Sequence, residues 1–518
     1  MSGGATQRRA GLARENRRLH TANAALRRQL GVERAKNRRL EQRVRDLQRE
    51  RWGKKSERTP APPPAPAGPG ATARPTKASD QPRPGQKRGP KPLDPRLPRE
   101  LVRLPDPPPE QLRCPVTGAR MQPGFTEEIE VLAIIPAKAV VRRYERTVFV
   151  SPAKSAPVCT PWPEGIFPRA RVDASVLAAV AAEHYGEHQP FNRIAQRLAR
   201  AGVRLARATQ VALMARLDEL AAPVVATIKA ALLAQDYLHL DATPVPLCDP
   251  ARPGRTVEAT VWGYRAQTGP LCWYQFCAPP GGKSPAHPDR ELQAAGFAGL
   301  LQVDGAGGLS AIGRPDQVIA LGCMAHARRY AHKAVVDGDR NAEVYLAGFN
   351  RLFRLDRLGK RFRLGAENFA TLRLTYSLPL FDLLVAMAEG EKAEVPPKTH
   401  LGDCLHYLVE QQEYLRRCLT IPGADLTNNA AERALRPVKT GVKNWLKVGH
   451  PTAGPRFANL FTLTENCRQA GVDLPTYLTD LITRLPGHPN RRLADWLPAV
   501  WQRARDQGRP AVADPPAA

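Results

Sequence analysis

The chain has 518 residues, which leaves room for roughly three domains of ordinary size. Lys and Arg number 77 against 49 Asp and Glu, so the formal net charge is +28. A field of that sign attracts polyanions such as nucleic acid, although a basic chain with solvated surfaces has the same composition. The N-terminus has no apolar signal-peptide core, and no stretch approaches the roughly 18 uninterrupted apolar residues of a membrane span. We therefore expect a cytoplasmic protein that does not enter membranes.

A heptad repeat of apolar residues predicts a coiled coil over residues 8–58. Asn16, Asn23 and Asn37 share the a position with two apolar residues, and a buried Asn there fixes register and oligomer number. We therefore predict a homo-oligomer, preferably a parallel dimer, formed through this segment. The alternative is direct DNA contact by its many arginines. The apolar heptad residues are Leu12, Leu19, Leu26, Leu40 and Leu47 at d, with Leu30 and Val44 at a.

Two segments of different composition follow. Residues 59–100 are rich in Pro, Ala and Gly and too poor in large apolar groups for a core, which predicts a disordered linker. Residues 101–168 include the β-branched run FTEEIEVLAIIPAKAVVRRYERTVFV, which predicts a small antiparallel β unit. A zinc ribbon would need two CxxC pairs, whereas this region has only Cys114 and Cys159. We therefore do not expect zinc.

Residues 170–228 are predicted to be helical. The stretch PFNRIAQRLARAGVRLARATQVALMARL reads as a helix, a turn at Gly202 and a second helix starting near Arg204. This is the form of a helix-turn-helix, and the arginines in it, with Arg204 and Arg207 foremost, favour contact with DNA. A generic helical hairpin would show the same pattern.

After Asp236 the apolar period becomes that of strands. YLHLDATPVPL, RTVEATVWGYRA and LCWYQFCA predict three strands, a helix near Arg290 to Ala295 follows, and GLLQVDG and QVIALGC predict two more. Asp241 lies within the first strand and Asp304 at the end of the fourth. In an α/β sheet of the ribonuclease-H-like type these strands are neighbours, so the two carboxylates can converge. We assign residues 231–338 to the first half of this core.

The segment LTNNAAERALRPVKTGVKNWL supplies a third carboxylate. Asn428 or Asn429 can cap a helix that begins there, which places Glu432 in its first turns. Three carboxylates suit two Mg²⁺ or Mn²⁺ ions, which catalyse phosphoryl transfer on DNA by activating the attacking oxygen and stabilising the leaving one. Each acid also has a simpler explanation: Asp241 as a strand-end polar residue, Asp304 as a turn residue, and Glu432 as a solvated charge paired with Arg436.

At these motifs the chain resembles the transposases of the insertion sequence 66 family, which are of the DDE type. The resemblance covers most of the chain and is most specific in the glutamate segment, TNNAAERALRPVKTGVKNWL. The other matching segments are WGKKSER at 52–58, HLDATPV around Asp241, LQVDG at Asp304, CMAHARR at 323–329 and ENCRQAGVDLPTYL at 465–478.

By this resemblance, Asp241, Asp304 and Glu432 form the metal-binding catalytic triad. It further implies a helical insertion at 339–425, the second half of the core with closing helices at 426–487, and a tail at 488–518. Cys323 and His326 are similar to a Cys-x-x-His feature of such transposases, for which we expect a structural or DNA-facing role rather than zinc. The chain departs from the family at Ala242, which stands where Glu is usual.

The expected activity is cleavage and joining of DNA at the terminal repeats of an insertion element and at a target. The basic residues Arg433, Arg436, Lys439 and Lys443 are our candidates for phosphate contacts. Small accessory proteins are further expected partners by resemblance. Three alternatives stay open: a ribonuclease-H-like nuclease, a decayed transposase that binds DNA without cutting it, and a zipper-type transcription regulator.

Overall fold

The computed structural model describes residues 172–249, 251–305 and 317–508, positions 312 and 314, and two short strands. These strands, β1 (Val148–Phe149) and β2 (Val158–Cys159), pair antiparallel. They lie in the region for which a small β unit is predicted. The predicted coiled coil, the Pro-rich linker and the rest of the 101–168 region lie outside the described residues.

A five-stranded mixed sheet forms the centre of the fold, in the order β5-β4-β3-β6-β7. The antiparallel half is β5-β4-β3, and the parallel half is β3-β6-β7. The five predicted strands are thus confirmed, and the first and fourth are neighbours as expected. Their bounds are β3 Tyr237–Cys248, β4 Thr256–Ala266, β5 Cys272–Cys277, β6 Gly299–Gln302 and β7 Val318–Leu321.

The register between β3 and β6 depends on Gly299. Its φ is +152°, and a Cβ there would collide with the carbonyl oxygen of Asp236. The bare backbone lets the chains approach, so Leu300 N–H donates to the Asp236 carbonyl at 2.8 Å. This close approach fixes Tyr237 opposite Leu300 and His239 opposite Gln302.

The helical region before the sheet shares the core of the sheet. The long helix α3 begins at Arg207 rather than near Arg204, and it continues past residue 228, the end of the predicted helical region, to Leu233. Leu217 and Val224 of α3 are fully buried in the same apolar cluster as the strands. The first helices are α1 Ala174–Ala181, a π-helical turn Ala182–Gly186, α2 Phe191–Arg200, α3 Arg207–Leu233, α4 Ala286–Ala294 and α5 Met324–Val336.

The insertion is helical, as the resemblance implied, and with α5 it forms a second apolar cluster. One helical run, Ala366–Glu391, is long and apolar enough by length and composition to cross a membrane. Its residues Phe381, Leu384 and Ala388 are buried in that cluster, and 28% of its apolar window is buried in all. The helices are α6 Ala342–Arg361, α7 Ala366–Leu372, a π-helical turn Arg373–Ser377, α8 Leu378–Glu391, α9 His400–Glu410 and α10 Gln412–Thr420.

The chain after the insertion returns to the sheet. The segment predicted as a tail from residue 488 is structured as far as residue 508, and Trp496 and Trp501 are buried in the main core. The tail prediction was therefore wrong up to that point. The elements are α11 Asn429–Trp445, α12 Ala453–Ala470, α13 Leu474–Arg484, 3₁₀ turns Leu485–Gly487 and Asn490–Trp496, and α14 Pro498–Asp506.

Candidate active site

The two aspartates stand at the point where neighbouring parallel strands lie side by side. Asp241 is the fifth residue of β3, and Asp304 follows the last residue of β6 by two positions. The register pairs His239 with Gln302. Continued by two residues, it sets Asp241 beside Asp304, as the strand order predicted.

The charges around Asp241 are those of a crowded carboxylate site. Burial, and next the carboxylate of Asp304, raise the pKa of Asp241 from 3.8 to about 7, and Glu432 acts in the same direction. The Ala242 N–H, 2.8 Å from Oδ1, and the ammonium of Lys439 oppose the shift. Like charges that disfavour one another's ionisation are typical of a site that a cation would neutralise.

Asp304 is anchored through its backbone by the insertion. The Tyr407 hydroxyl of α9 donates to the Asp304 carbonyl oxygen at 2.7 Å and lies 3.2 Å from the Cys323 carbonyl oxygen. Tyr407 therefore ties the end of β6 to the start of α5. Nothing in the local sequence around Tyr407 pointed to this role, because the contact joins residues about a hundred positions apart.

Glu432 lies in the first turn of α11, as predicted, and its carboxylate faces α5. Its Oε1 is 3.4 Å from a guanidinium nitrogen of Arg329 and 3.7 Å from Nε2 of His326. The CMAHARR segment is therefore the immediate partner of the third carboxylate. The ion-pair partner of Glu432 is therefore Arg329 rather than Arg436, the partner considered from the helical spacing.

Asn428 occupies the N-cap position of α11, but its side chain does not cap the helix. Its Nδ2 donates to the Leu240 carbonyl oxygen at 2.7 Å, and its Oδ1 lies 3.2 Å from Nδ1 of His239. Its own backbone N–H reaches Sγ of Cys323 at 3.1 Å. Cys323 thus has a structural role here, at the junction of α5 and α11.

The predicted DNA-contacting residues all lie on the surface. The exposed cations along α11 are Arg433, Arg436, Lys439 and Lys443. The positive charge of Lys439 acts to lower the pKa of Asp241. Arg204, in the turn before α3, and Arg207, the first residue of α3, are exposed too. Among residues 172–508, as far as they are described, no three or more His, Cys, Asp or Glu side chains are grouped closely enough to hold a metal ion.

A mixed sheet flanked by helices is consistent with the α/β core typical of DDE transposases. Residues 169–456 match the family model of the transposase IS66 family. Because this match spans more than half of the chain, the protein belongs to that family.

Relatives of the chain are found in Sinorhizobium fredii (strain NBRC 101917 / NGR234). The uncharacterized protein y4hP is 28% identical over 420 residues, which cover 77% of this chain and 74% of the relative. The uncharacterized protein y4jD is 25% identical over 391 residues, covering 73% of this chain and 75% of the relative. The uncharacterized protein y4qI is 28% identical over 327 residues, 60% of this chain and 59% of the relative.

Proposed function

We propose that this chain is a DDE-type DNA transposase that cleaves the ends of an insertion element and joins them to target DNA through Asp241, Asp304 and Glu432. The observation that carries the proposal is the electrostatic coupling of these three acids, which come from three separate segments of the chain. Burial is the largest cause of the raised pKa of Asp241, and Asp304 and Glu432 both add to it, so the charges of the other two carboxylates act on Asp241.

The donor set fits Mg²⁺ or Mn²⁺, because carboxylate oxygens are the ligands that hard divalent cations prefer. Asp241 and Asp304 would hold the ions from the sheet, and Glu432 from α11. Glu432 is 24% exposed and its carboxylate is held by Arg329. Side-chain rotation about the Glu432 χ angles is the movement by which it would join the aspartates in holding the ions.

Two bound divalent ions would activate the attacking water or 3′-hydroxyl and stabilise the leaving oxygen. The protein's own residues would bind the ions, hold the DNA and balance charge. Asp241, whose pKa is raised by burial and then by the charge of Asp304, must give up its proton before it can act as a ligand. The exposed cations Arg433, Arg436 and Lys439 on α11 would hold the DNA phosphates beside the acids. Arg329 would balance the charge of Glu432.

The wider assignments belong to the same proposal. Element ends and target DNA are the partners, the coiled coil of residues 8–58 is the means of homo-oligomerisation, and small accessory proteins can assist. The site of action is the cytoplasm, on DNA. A net charge of +28 supports the choice of DNA as partner.

The test is Mg²⁺- or Mn²⁺-dependent nicking of labelled DNA that carries the element's own ends. The comparison is Glu432→Gln, which keeps the size of the side chain and removes its charge. The matched control is Glu394→Gln, the same change at an exposed position in the insertion. We expect nicking by the parent and by the control, and loss of nicking by Glu432→Gln with DNA binding retained.

Equal nicking by Glu432→Gln and the parent would overturn the assignment of the site. DNA binding without nicking by any of the three proteins, with accessory proteins supplied, would instead favour a decayed transposase. Nicking without joining of the freed 3′ end would favour a nuclease.

A further inference from the structure

A second feature of the surface lies away from the carboxylates. A cleft of about 1160 Å³ opens between the first residues of α2 and α3 on one side and the last residues of α11 on the other. Its lining includes Phe191, Arg207, Trp445 and Arg456. None of the three acids lines it, so the chemistry proposed above leaves this cleft unexplained.

Three aromatic rings are stacked at the cleft. His184 lies between Phe191, at a centroid distance of 3.7 Å and an interplanar angle of 14°, and Trp445, at 4.1 Å and 24°. Burial lowers the pKa of His184 to about 4, so its ring is uncharged at neutral pH. Phe191 and Trp445 are only half-buried, which leaves flat apolar surface at the cleft.

Cations surround this aromatic surface. Arg193, Arg207, Lys447 and Arg456 line the same cleft, and Arg456 is fixed by a hydrogen bond to the Val211 carbonyl oxygen at 3.1 Å. Aromatic surface bordered by basic side chains is the combination that binds unpaired nucleotides, since the rings stack on bases and the cations hold phosphates. A purely apolar partner would leave the cations without counter-charges.

Leu446 stands at the edge of the cleft in an unusual state. It is 72% exposed, and its φ is +75° with ψ at −39°, a backbone region that residues with a side chain rarely adopt. Such strain is kept where the surrounding structure imposes it, and it is common at ligand-binding sites. An exposed leucine can enter between stacked base pairs as an apolar wedge.

The position relative to the acids agrees with a role on the same DNA. Trp445 follows Glu432 by 13 positions on the one helix α11 (445 − 432). At 1.5 Å per residue this is about 20 Å. Duplex DNA advances 3.4 Å per nucleotide, so the same length corresponds to about six nucleotides.

We propose that this cleft binds an unpaired nucleotide of the DNA strand held at the active site, with Leu446 as the wedge that separates it from the stack. This inference rests on the proposed function for its DNA substrate and adds a base-binding site to it. The cleft would accept any of the four nucleotides, because every base offers a face for stacking.

The first test needs no knowledge of the element ends. Oligothymidylate carrying 5-iodouracil is bound to the full chain without divalent metal and photo-crosslinked, and the adducts are mapped by mass spectrometry. We expect adducts in the peptides that contain Phe191 or Trp445. Trp445→Leu, which keeps an apolar side chain but removes the stacking ring, should weaken binding of the oligonucleotide about tenfold in fluorescence anisotropy. Adducts only elsewhere would overturn the proposal.

The second test uses Leu446→Gly, which removes the wedge and also relieves the backbone, so loss of folding cannot explain its effect. The control is Phe362→Ala, which trims another highly exposed apolar residue, in the insertion. On duplex DNA with 2-aminopurine at successive positions, we expect a fluorescence rise with the parent and the control and none with Leu446→Gly. An unchanged rise would overturn the wedge, as would a change only in self-association on sedimentation.

The two proposals fail separately. Cleft adducts from a parent protein that never nicks DNA would leave the base-binding site standing and overturn the proposed catalysis. Nicking that depends on Glu432, together with adducts only outside the cleft, would do the reverse.

Discussion

The amide of Asn428 donates a hydrogen bond to the carbonyl oxygen of Leu240 across 2.7 Å. Leu240 precedes Asp241 in β3, and Asn428 stands four residues before Glu432, so this one bond joins the supports of the first and third carboxylates. Asn428 is fully buried. The Asn428 side chain makes no capping bond to α11; its bond to Leu240 instead holds the start of the helix against β3.

We expect Asn428→Ala to destabilise the fold and the site together. The change leaves the Leu240 carbonyl and the His239 ring without their buried partner, which should cost about 2–3 kcal/mol in the free energy of unfolding. Displacement of Glu432 should lower nicking at least about tenfold. Urea unfolding and the nicking assay are the measurements. Asn429→Ala changes the neighbouring residue and should be nearly neutral in both; equal effects of the two variants would contradict this account.

The raised pKa of Asp241 predicts how the metal-free protein depends on pH. In the unfolded chain the carboxyl loses its proton near 3.8, whereas in the folded protein it keeps it to about 7. Between these values the folded state binds more protons, so this group's contribution to stability falls as pH rises from about 4 to about 7.

Asp241→Asn removes that dependence. In buffer with EDTA we expect the variant to be more stable than the parent at pH 8, by no more than about 4 kcal/mol, and the difference to shrink toward pH 4. Urea titrations across this range measure it. The control is Asp236→Asn, an exposed aspartate just before β3. A stability difference that grew on acidification would refute the assigned crowding.

The strands of the core were readable from the sequence because their apolar pattern changes abruptly after Asp236, and strand order followed from the resemblance to a known sheet. Asn428 shows where such reading fails. A short polar residue at the start of a helix is correctly placed as an N-cap by local rules. That its side chain turns to Leu240 instead is decided by a residue 188 positions away, which local rules cannot include.

The cleft and the C-terminal segment were missed for different reasons. Phe191 and Trp445 come from distant parts of the chain, and their stacking on His184 exists only in the folded protein. The end of the chain did carry a signal, since Leu493, Trp496 and Trp501 are large apolar residues among arginines. These residues are spaced among arginines and prolines, so no regular apolar period marks them as part of a core.

The insertion contains a buried ion pair whose disruption should be costly. Arg373 is 3% exposed, pairs with Asp356, and donates to the Ala424 carbonyl oxygen at 2.7 Å. Asp356→Ala would leave the guanidinium buried without its carboxylate, and we expect a loss of about 3–5 kcal/mol in the free energy of unfolding.

The matched control for this pair is Asp382→Ala, which breaks the exposed pair with Arg416 and should cost less than about 1 kcal/mol. Both variants are measured by urea unfolding followed by circular dichroism. If Asp356→Ala were as mild as the control, Arg373 would not depend on Asp356. In that case its carbonyl contacts alone would be sufficient to hold it.

The segment after residue 488 packs against the core through the buried ring of Trp501. Trp501 is 2% exposed, donates from Nε1 to Asp480 at 2.7 Å, and meets the ring of Tyr477 edge to face at 5.4 Å. We expect Trp501→Ala to cost about 3–5 kcal/mol in the free energy of unfolding, because it opens a cavity against α13. Trp501→Phe keeps most of the ring contact and should lose less. The measurement is thermal and urea unfolding of the parent and both variants.

The matched control is Arg503→Ala, two residues along the same helix at an exposed position, and it should be close to neutral. A neutral Trp501→Ala would show that the burial of this ring does not stabilise the core.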